Sequence, residues 1–398
     1  GTDAFQEIDL VGITQPITKW SYQIRRAEDI AYAVARAFHI ATTGRPGPVV
    51  LDFAKNAQNE LFEFQPQKIS IARGYIPYPD LNEKQVDEVA NLINESKKPL
   101  VLVGQGVILS NAEKELLTFL EKADIPAAST LLGLSAMPSD FRLNKGFIGM
   151  HGNIAPNKKT NECDLLIGIG MRFADRVTGN VKTYAKQAKI VHIDIDISEI
   201  GKNIKTDAKI LGDAKEVLIA LTKKIKENNH SEWIDSFKAF EEEEYNKVIK
   251  KSLYPSGDAL TMGEVVRKVS DATHKDAILV TDVGQNQMES ARYFQYTKSR
   301  SIVTSGGLGT MGFGLPAAIG TKIGVPNRTV CIFAGDGGFQ MSIQELGTIM
   351  QSNIGVKMIL LNNNYLGMVR QWQELFYQKR YSSTPMINPD FNAIASAY

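Results

Sequence analysis

Residues 330–341, VCIFAGDGGFQM, drive an apolar run into a single acid set among glycines. Such a run reads as a buried strand, and the glycines turn it into the start of a helix. Downstream, VKMILL (356–361) reads as the next strand and ends at NNN, so Asn363 stands 27 positions beyond Asp336 (363 − 336). Strand, helix, strand in that order is a parallel βαβ step, which brings both oxygen-bearing side chains to one rim of the sheet. Mg²⁺ takes hard oxygen ligands and is commonly held by one or two carboxylates together with phosphate oxygens. Glycines let backbone N–H groups come close to a diphosphate at the helix start. Alone, GDGG is most often only a strand-to-helix turn; the asparagines beyond it point to a cation and a diphosphate.

The same alternation extends outward in both directions. Around this step lie a helix near 262–272, strand AILVTD, a glycine-rich segment, a helix near 342–352 and a last helix near 367–378. Earlier come a helix at 82–96, strand PLVLVG, a helix opened by a capping box at Ser110–Glu113, and strands IPAAST, DLLIGIG and KIVHIDID. Ahead of these, a helix over 27–42 is broken by GRPGP and followed by strand VVLDF. The fold class is therefore α/β, with parallel sheets flanked by helices. A proline-bearing stretch, 65–80, reads as a linker, and LYPSG at 253–257 marks a second boundary. SEWIDSFKAFEEEEYNKVIKK, from Ser231, reads as a helix with a solvated charged face.

With 45 basic and 44 acidic side chains in 398 residues, no long-range field draws the protein to nucleic acid or an anionic membrane. No apolar run approaches the roughly 18 residues of a spanning helix. The two cysteines, Cys163 and Cys331, lie far apart in or beside apolar runs, which predicts buried thiols and a reducing, cytoplasmic setting. The chain begins at Gly1 without methionine and stops in DFNAIASAY, a helix just begun, so it reads as a piece of a longer protein.

SGGLGTMGFGLPAAIG (305–320) contains a G-x-G-x-x-G, Gly307 to Gly312, after the strand-like SIVTS. It is expected to open a helix, as a dinucleotide fingerprint requires, but the neighbouring acid–asparagine pair favours a second loop around the same cofactor, and Met311 within it reads as cofactor contact or helix packing. VGQG and IGIG end strands in glycines, and Asp194 closes a strand 24 positions past Gly170 (194 − 170), near the spacing of an acid that takes ribose hydroxyls. Neither glycine pair carries the third glycine, so tight turns remain the plainer reading.

GDGG with NNNYLGM resembles the thiamin-diphosphate motif, and SGGLGTMGFGLPAAIG and GMVRQWQELFY resemble the large catalytic subunits of the acetolactate synthase (acetohydroxyacid synthase) family. GTDAFQE, GRPGPVVLD and GMRFADRVTGN point the same way, so the likeness covers essentially the whole chain. It implies a three-domain thiamin-diphosphate enzyme: residues 1–72 as the last part of a pyrimidine-binding domain, 80–250 as a central FAD-binding domain and 256–398 as the diphosphate-binding domain, the first and last incomplete. By that likeness Asp336, Asn363 and the Tyr365 carbonyl bind Mg²⁺. Gly335, Gly337 and Gly338 cradle the diphosphate, and Gly284, Gln285, Asn286, Gly309, Leu366, Gly367 and Met368 complete the thiamin diphosphate contacts. The family often has histidine where Asn286 stands. Met311 matches the residue that wedges the cofactor's rings into a bent form. Matching the flavin contacts are Arg45, Gly104, Gln105, Gly106, Thr130, Leu131, Met150, His151, Gly152, Gly170, Arg172, Asp175, Arg176, Asp194 and Asp213. Ala174 departs from the pattern in RFADR, where the family usually shows a second acid.

For substrate, the likeness makes Arg176 the fork for a 2-keto-acid carboxylate; its plainer reading is an ion pair with Asp175. Met368, Val369 and Trp372 share one side of the last helix, by spacing a core stripe, by likeness the substrate pocket, with Trp372 favouring 2-ketobutyrate as acceptor. Phe5, Gln6 and Lys55 match an access channel. The reaction implied is decarboxylation of pyruvate and transfer of the two-carbon unit to a second pyruvate or to 2-ketobutyrate, in valine, leucine and isoleucine synthesis. A homodimer or homotetramer and a small regulatory subunit are the implied partners. The family's activating glutamate belongs ahead of GTDAFQE, and the 398 residues alone are expected to be inactive. Competing readings are a pyruvate oxidase or flavin-free acetolactate synthase, which share the Mg²⁺ motif but not QWQELFY; a nicotinamide dehydrogenase; and a non-catalytic assembly module.

Overall fold

A computed structural model describes residues 4–69 and 72–398. Gly1–Asp3 of GTDAFQE, and Ser70 and Ile71 of the 65–80 linker, lie outside the described residues. The strands, in chain order, are β1 (Trp20–Ile24), β2 (Val49–Phe53), β3 (Pro99–Val103), β4 (Ala127–Ser129), β5 (Asn144–Phe147), β6 (Leu165–Ile169), β7 (Lys189–Asp194), β8 (Ala208–Leu211), β9 (Ile278–Thr281), β10 (Ile302–Val303), β11 (Val330–Gly335) and β12 (Lys357–Leu361). They form a two-stranded sheet β1-β2, a six-stranded sheet β5-β4-β3-β6-β7-β8 and a four-stranded sheet β10-β9-β11-β12. Every ladder in them is parallel.

The central sheet shows why continuous apolar runs were needed. Successive strand residues face opposite sides, and in β3 Val101 and Val103 enter one core while Leu100 and Leu102 enter the other. The first core lies under helices Glu83–Glu95, Glu113–Ala123 and Ala214–Lys224. The second lies under Ile154–Thr160 and the Trp233–Phe237 segment. The third sheet repeats this pattern: Leu279, Cys331 and Phe333 face one way, and Ile278, Val280, Val330 and Ile332 the other.

Three local expectations are corrected. Ser110 caps no helix start: it ends helix Gln105–Leu109, and its hydroxyl bonds Asp213 at 2.5 Å, while the next helix begins at Glu113 without a side-chain cap. The tertiary partner outcompeted the local one. The G-x-G-x-x-G segment does not itself open a helix, which starts only at Gly314, after a loop that leaves β10. The charged stretch is a solvated face on one side only: Glu232, Asp235, Lys238, Glu242 and Lys247 are exposed, but the other side is buried. Trp233 and Phe237 are core residues, the Trp233 indole N–H donates to the Pro99 carbonyl at 2.8 Å, and the buried Lys159 ammonium sits over the rings of Trp233, Phe237 and Phe240 while pairing with Glu162.

Both cysteines are free and buried. Burial pushes the Cys163 thiol up to about 12 and that of Cys331 up to about 11. Since the thiolate is the reactive form, the native protein is expected to leave both unmodified by a disulfide reagent near neutral pH, and denaturant to release both; rapid labelling of either in the native state would contradict their burial. No helix among the described residues is long and apolar enough to cross a membrane.

Candidate active site

Strands β9, β11 and β12 run parallel side by side, so their carboxyl ends share one rim. At that rim a cavity of about 60 Å³ is lined by Asp336, Asn363 and Tyr365, by Gly335, Gly337 and Gly338, and by Gly284, Gln285, Asn286, Met311, Leu366, Gly367, Met368 and Val369. Asp336 is 2% exposed. Its Oδ2 accepts from the Asn364 N–H at 2.9 Å and the Asn388 amide at 2.7 Å, whereas Oδ1, among the described residues, accepts only from its neighbour Gly337 at 3.1 Å. The Asn363 amide donates to Gln285 at 3.2 Å, and its oxygen accepts from the Tyr365 N–H at 3.1 Å. Gln285 in turn donates to Gln371, tying this rim to helix Gly367–Phe376.

Asp282, at the end of β9, holds the loops together. It is 1% exposed, and its carboxylate accepts from the N–H groups of Val283 (2.8 Å), Gly312 (3.2 Å) and Gly314 (2.8 Å), the last two just after Met311. A Cβ on Gly338 would lie 2.0 Å from Asp282 Oδ1, so only glycine lets the diphosphate-side loop pass.

A second cavity, about 700 Å³, opens between the carboxyl ends of the central sheet and the third unit. Arg45, Gln105, Gly106, Thr130, Leu131, Met150, His151, Gly170, Arg172, Arg176, Asp194 and Asp213 line it, with Gly309, Met368 and Trp372 from the third unit. Val283, Gly284 and Met368 line both cavities, so the two adjoin. Gly170, with φ +58°, presses against Gly106: a Cβ there would lie 2.5 Å from the Gly106 Cα.

Electrostatics in the large cavity are set by a few charged groups, some exposed and some half-buried. Arg45 reaches from the first unit to Asp196 (2.9 Å) and Glu199 (2.7 Å). Burial raises the Asp194 carboxyl above its usual range, against the Asp196 N–H bond that favours the anion. His151 is held below the usual imidazole range by burial first and then by the charges of Arg176 and Arg292. Arg176 pairs with Asp175 at 2.7 Å, yet its guanidinium also stands 5.7 Å from the Trp372 ring. The plain ion pair and the pocket position therefore coexist.

Residues 86–221 match the family model described as thiamine pyrophosphate enzyme, central domain, and residues 282–398 the one described as its C-terminal TPP binding domain. The chain is 43% identical over 402 residues to an acetolactate synthase large subunit of Lactococcus lactis subsp. lactis, covering all of this chain and 69% of that protein. A probable acetolactate synthase large subunit of Methanocaldococcus jannaschii is 44% identical over 414 residues, with the same coverage. The acetolactate synthase isozyme 2 large subunit of Escherichia coli K12 is 39% identical over 399 residues, 71% of its length. The chain belongs to the acetolactate synthase large subunits, within the thiamine pyrophosphate enzymes. Its function is that of a thiamin-diphosphate-dependent acetolactate synthase.

Against the acetolactate synthase expectations, the residues assigned to thiamin diphosphate meet at one cavity, except Gly309, which lines the larger one. Of the flavin set, Gly104, Gly152 and Asp175 are not among the lining residues. Gly104 is wedged under Gly170, the Gly152 carbonyl is taken by Arg292, and Asp175 turns outward to Arg176. Asp213 lines the cavity but its carboxylate caps helix Ala214–Lys224. The sequence reading missed Asp282 and Asn388. Asp282 was visible as the acid ending AILVTD; Asn388, alone in a loop, carried no signal.

Proposed function

We propose that the chain, as part of the full-length protein and not by itself, decarboxylates pyruvate and joins the two-carbon unit to a second pyruvate or to 2-ketobutyrate, using Mg²⁺ and FAD beside thiamin diphosphate. The observation that carries this is the adjoining of the two cavities through Val283, Gly284 and Met368. The small cavity suits a cation-bound diphosphate. Asp336 Oδ1 meets only its neighbour's N–H, and the buried Asn286 Oδ1, on the same lining, has no hydrogen-bond partner among the described residues. Asp336, Asn363 and the Tyr365 carbonyl would hold Mg²⁺, and one carboxylate with neutral oxygens is a donor set that ion accepts. The large cavity has a volume typical of cofactor sites, and its glycine-lined walls admit close backbone approach, which suits FAD in an architectural role.

When bound, thiamin diphosphate supplies the carbanion chemistry by which a 2-keto acid loses CO₂ and passes on a two-carbon unit. The chain's own part is orientation: Met311 and Gly309 shape the cofactor side, Arg176 offers a fork to the keto-acid carboxylate, and Met368, Val369 and Trp372 bound the acceptor, with Trp372 favouring 2-ketobutyrate. We assign residues 1–72, 80–250 and 256–398 to the pyrimidine-binding, flavin-binding and diphosphate-binding domains. Branched-chain amino-acid synthesis in the cytoplasm, a homodimer or homotetramer, and a small regulatory subunit complete the reading, the last because the relatives are named large subunits.

The test is native mass spectrometry and absorbance of the full-length protein after reconstitution, with product analysis from pyruvate. Retention of both FAD and thiamin diphosphate with acetolactate formed is expected. Thiamin diphosphate without flavin would favour a flavin-free synthase, and acetyl phosphate or acetate as product an oxidase.

A further inference from the structure

We propose that Asn388 is a positioning residue of the cation site: its side-chain amide engages Asp336 Oδ2 and leaves Oδ1 as the one oxygen offered to the metal. This rests on the Mg²⁺ reading above and adds a residue to it. Asn388 Nδ2 lies 2.7 Å from Asp336 Oδ2, 2.9 Å from Asn362 Oδ1 and 3.0 Å from Asn364 Oδ1. Its own oxygen accepts from Gln340 Nε2 at 3.0 Å. The reversed amide would set an oxygen against three acceptors, so the surroundings fix its orientation. One side chain thereby joins the helix after β11, the turn after β12 and the 384–388 segment.

That segment is itself anchored to the cation turn. Tyr365 and Pro385 form an antiparallel bridge, the Leu366 N–H donates to the Thr384 carbonyl at 2.9 Å, and the Met386 N–H to the Asn364 carbonyl at 2.9 Å. The Arg370 guanidinium stacks on Tyr365 (4.3 Å to the ring centre) and Tyr381 (4.1 Å), clasping the intervening chain. Asn388 is thus delivered to Asp336 by backbone pairing on the very turn whose Tyr365 carbonyl is the third oxygen.

The chemical consequence concerns how the carboxylate binds. With Oδ2 accepting from both Asn364 N–H and Asn388, Asp336 is held for one-oxygen binding. Mg²⁺ demands a near-ideal octahedron, whereas Ca²⁺ accepts one- or two-oxygen carboxylates in flexible geometry. Without Asn388, Oδ2 keeps only the Asn364 N–H, and the loosened carboxylate can turn toward two-oxygen binding, which penalises Mg²⁺ more than Ca²⁺.

The experiment is Asn388→Ala in the full-length protein, with Mg²⁺ and Ca²⁺ each titrated at saturating thiamin diphosphate and binding followed by calorimetry and tryptophan fluorescence. Asp336→Asn and Ile387→Ala, a fully exposed neighbour in the same segment, run in parallel. Loss of an outer-shell partner typically weakens a metal about 10–100-fold; Mg²⁺ is expected to weaken by that order in Asn388→Ala, Ca²⁺ distinctly less, with Ile387→Ala unchanged. Equal losses for both ions would reduce Asn388 to a structural tie and overturn the proposal. Unchanged Mg²⁺ affinity in Asn388→Ala, with binding lost in Asp336→Asn, would overturn it while leaving the cation site standing. Unchanged affinity in Asp336→Asn would remove the cation site itself.

Discussion

Asp336→Asn is expected to weaken Mg²⁺-dependent thiamin diphosphate binding by at least about 100-fold, more than the loss of an outer-shell partner costs, and to reduce acetolactate formation correspondingly. Two effects add. The carboxylate is almost fully buried, and its partners are all N–H donors: Gly337, Asn364 and Asn388. Replacing it removes the anionic ligand we propose for Mg²⁺. It also converts one oxygen into an NH₂, and either orientation then sets donor against donor, toward Gly337 or toward Asn364 and Asn388. A buried donor without an acceptor costs about 1–3 kcal/mol, so the loop is predicted to loosen even without metal. Calorimetric titration with Mg²⁺ and thiamin diphosphate checks the first effect, and hydrogen exchange of the 335–340 and 362–366 amides the second. Binding within a few-fold of the parent would show that the charge at this position is not the ligand.

The sequence exposed this part of the site because its residues end strands in a βαβ step, where chain order alone dictates which tips are neighbours. β3, β6, β7 and β11 were legible for a related reason, since a strand buried on both faces reads as a near-continuous apolar run. β5 (NKGF) and β8 (AKIL) are the edges of their sheet, short and each interrupted by a lysine, and were passed over. Helix Gln285–Tyr293 escaped because the side chains it buries include Asn286, Gln287 and Ser290, so no apolar stripe marks it. Ser110 misled in the opposite direction: a capping box is a local pattern, and Asp213, remote in sequence, claimed the hydroxyl. The acids of the 231–251 stretch hid both an aromatic stripe (Trp233, Phe237, Phe240) and a buried carboxylate, whose partner no local pattern announces.

That carboxylate, Glu244, supports the second large expectation: Glu244→Ala is predicted to destabilise the protein by about 3–5 kcal/mol, the usual consequence of stranding one member of a buried ion pair. Glu244 is 2% exposed, pairs with Arg292, and also accepts from the Asn153 amide at 2.9 Å and the Ile154 N–H at 2.8 Å. Arg292 lies on helix Gln285–Tyr293, whose first turn lines the small cavity, and it donates to the carbonyls of His151 (3.0 Å) and Gly152 (2.6 Å) in the loop beside the large one. The pair therefore clamps the large-cavity loop to the small-cavity helix. Stability and cofactor retention separate in a double replacement, Glu244→Met with Arg292→Met. Apolar side chains of similar volume often recover the stability of a buried pair, but they offer no donor to the His151 and Gly152 carbonyls. Denaturation midpoints are expected to recover substantially in the double variant while release of the proposed FAD stays faster than in the parent. Recovery of both would mean that packing alone holds the loop, and recovery of neither would mean that the contacts to Asn153 and Ile154 outweigh the charge pair.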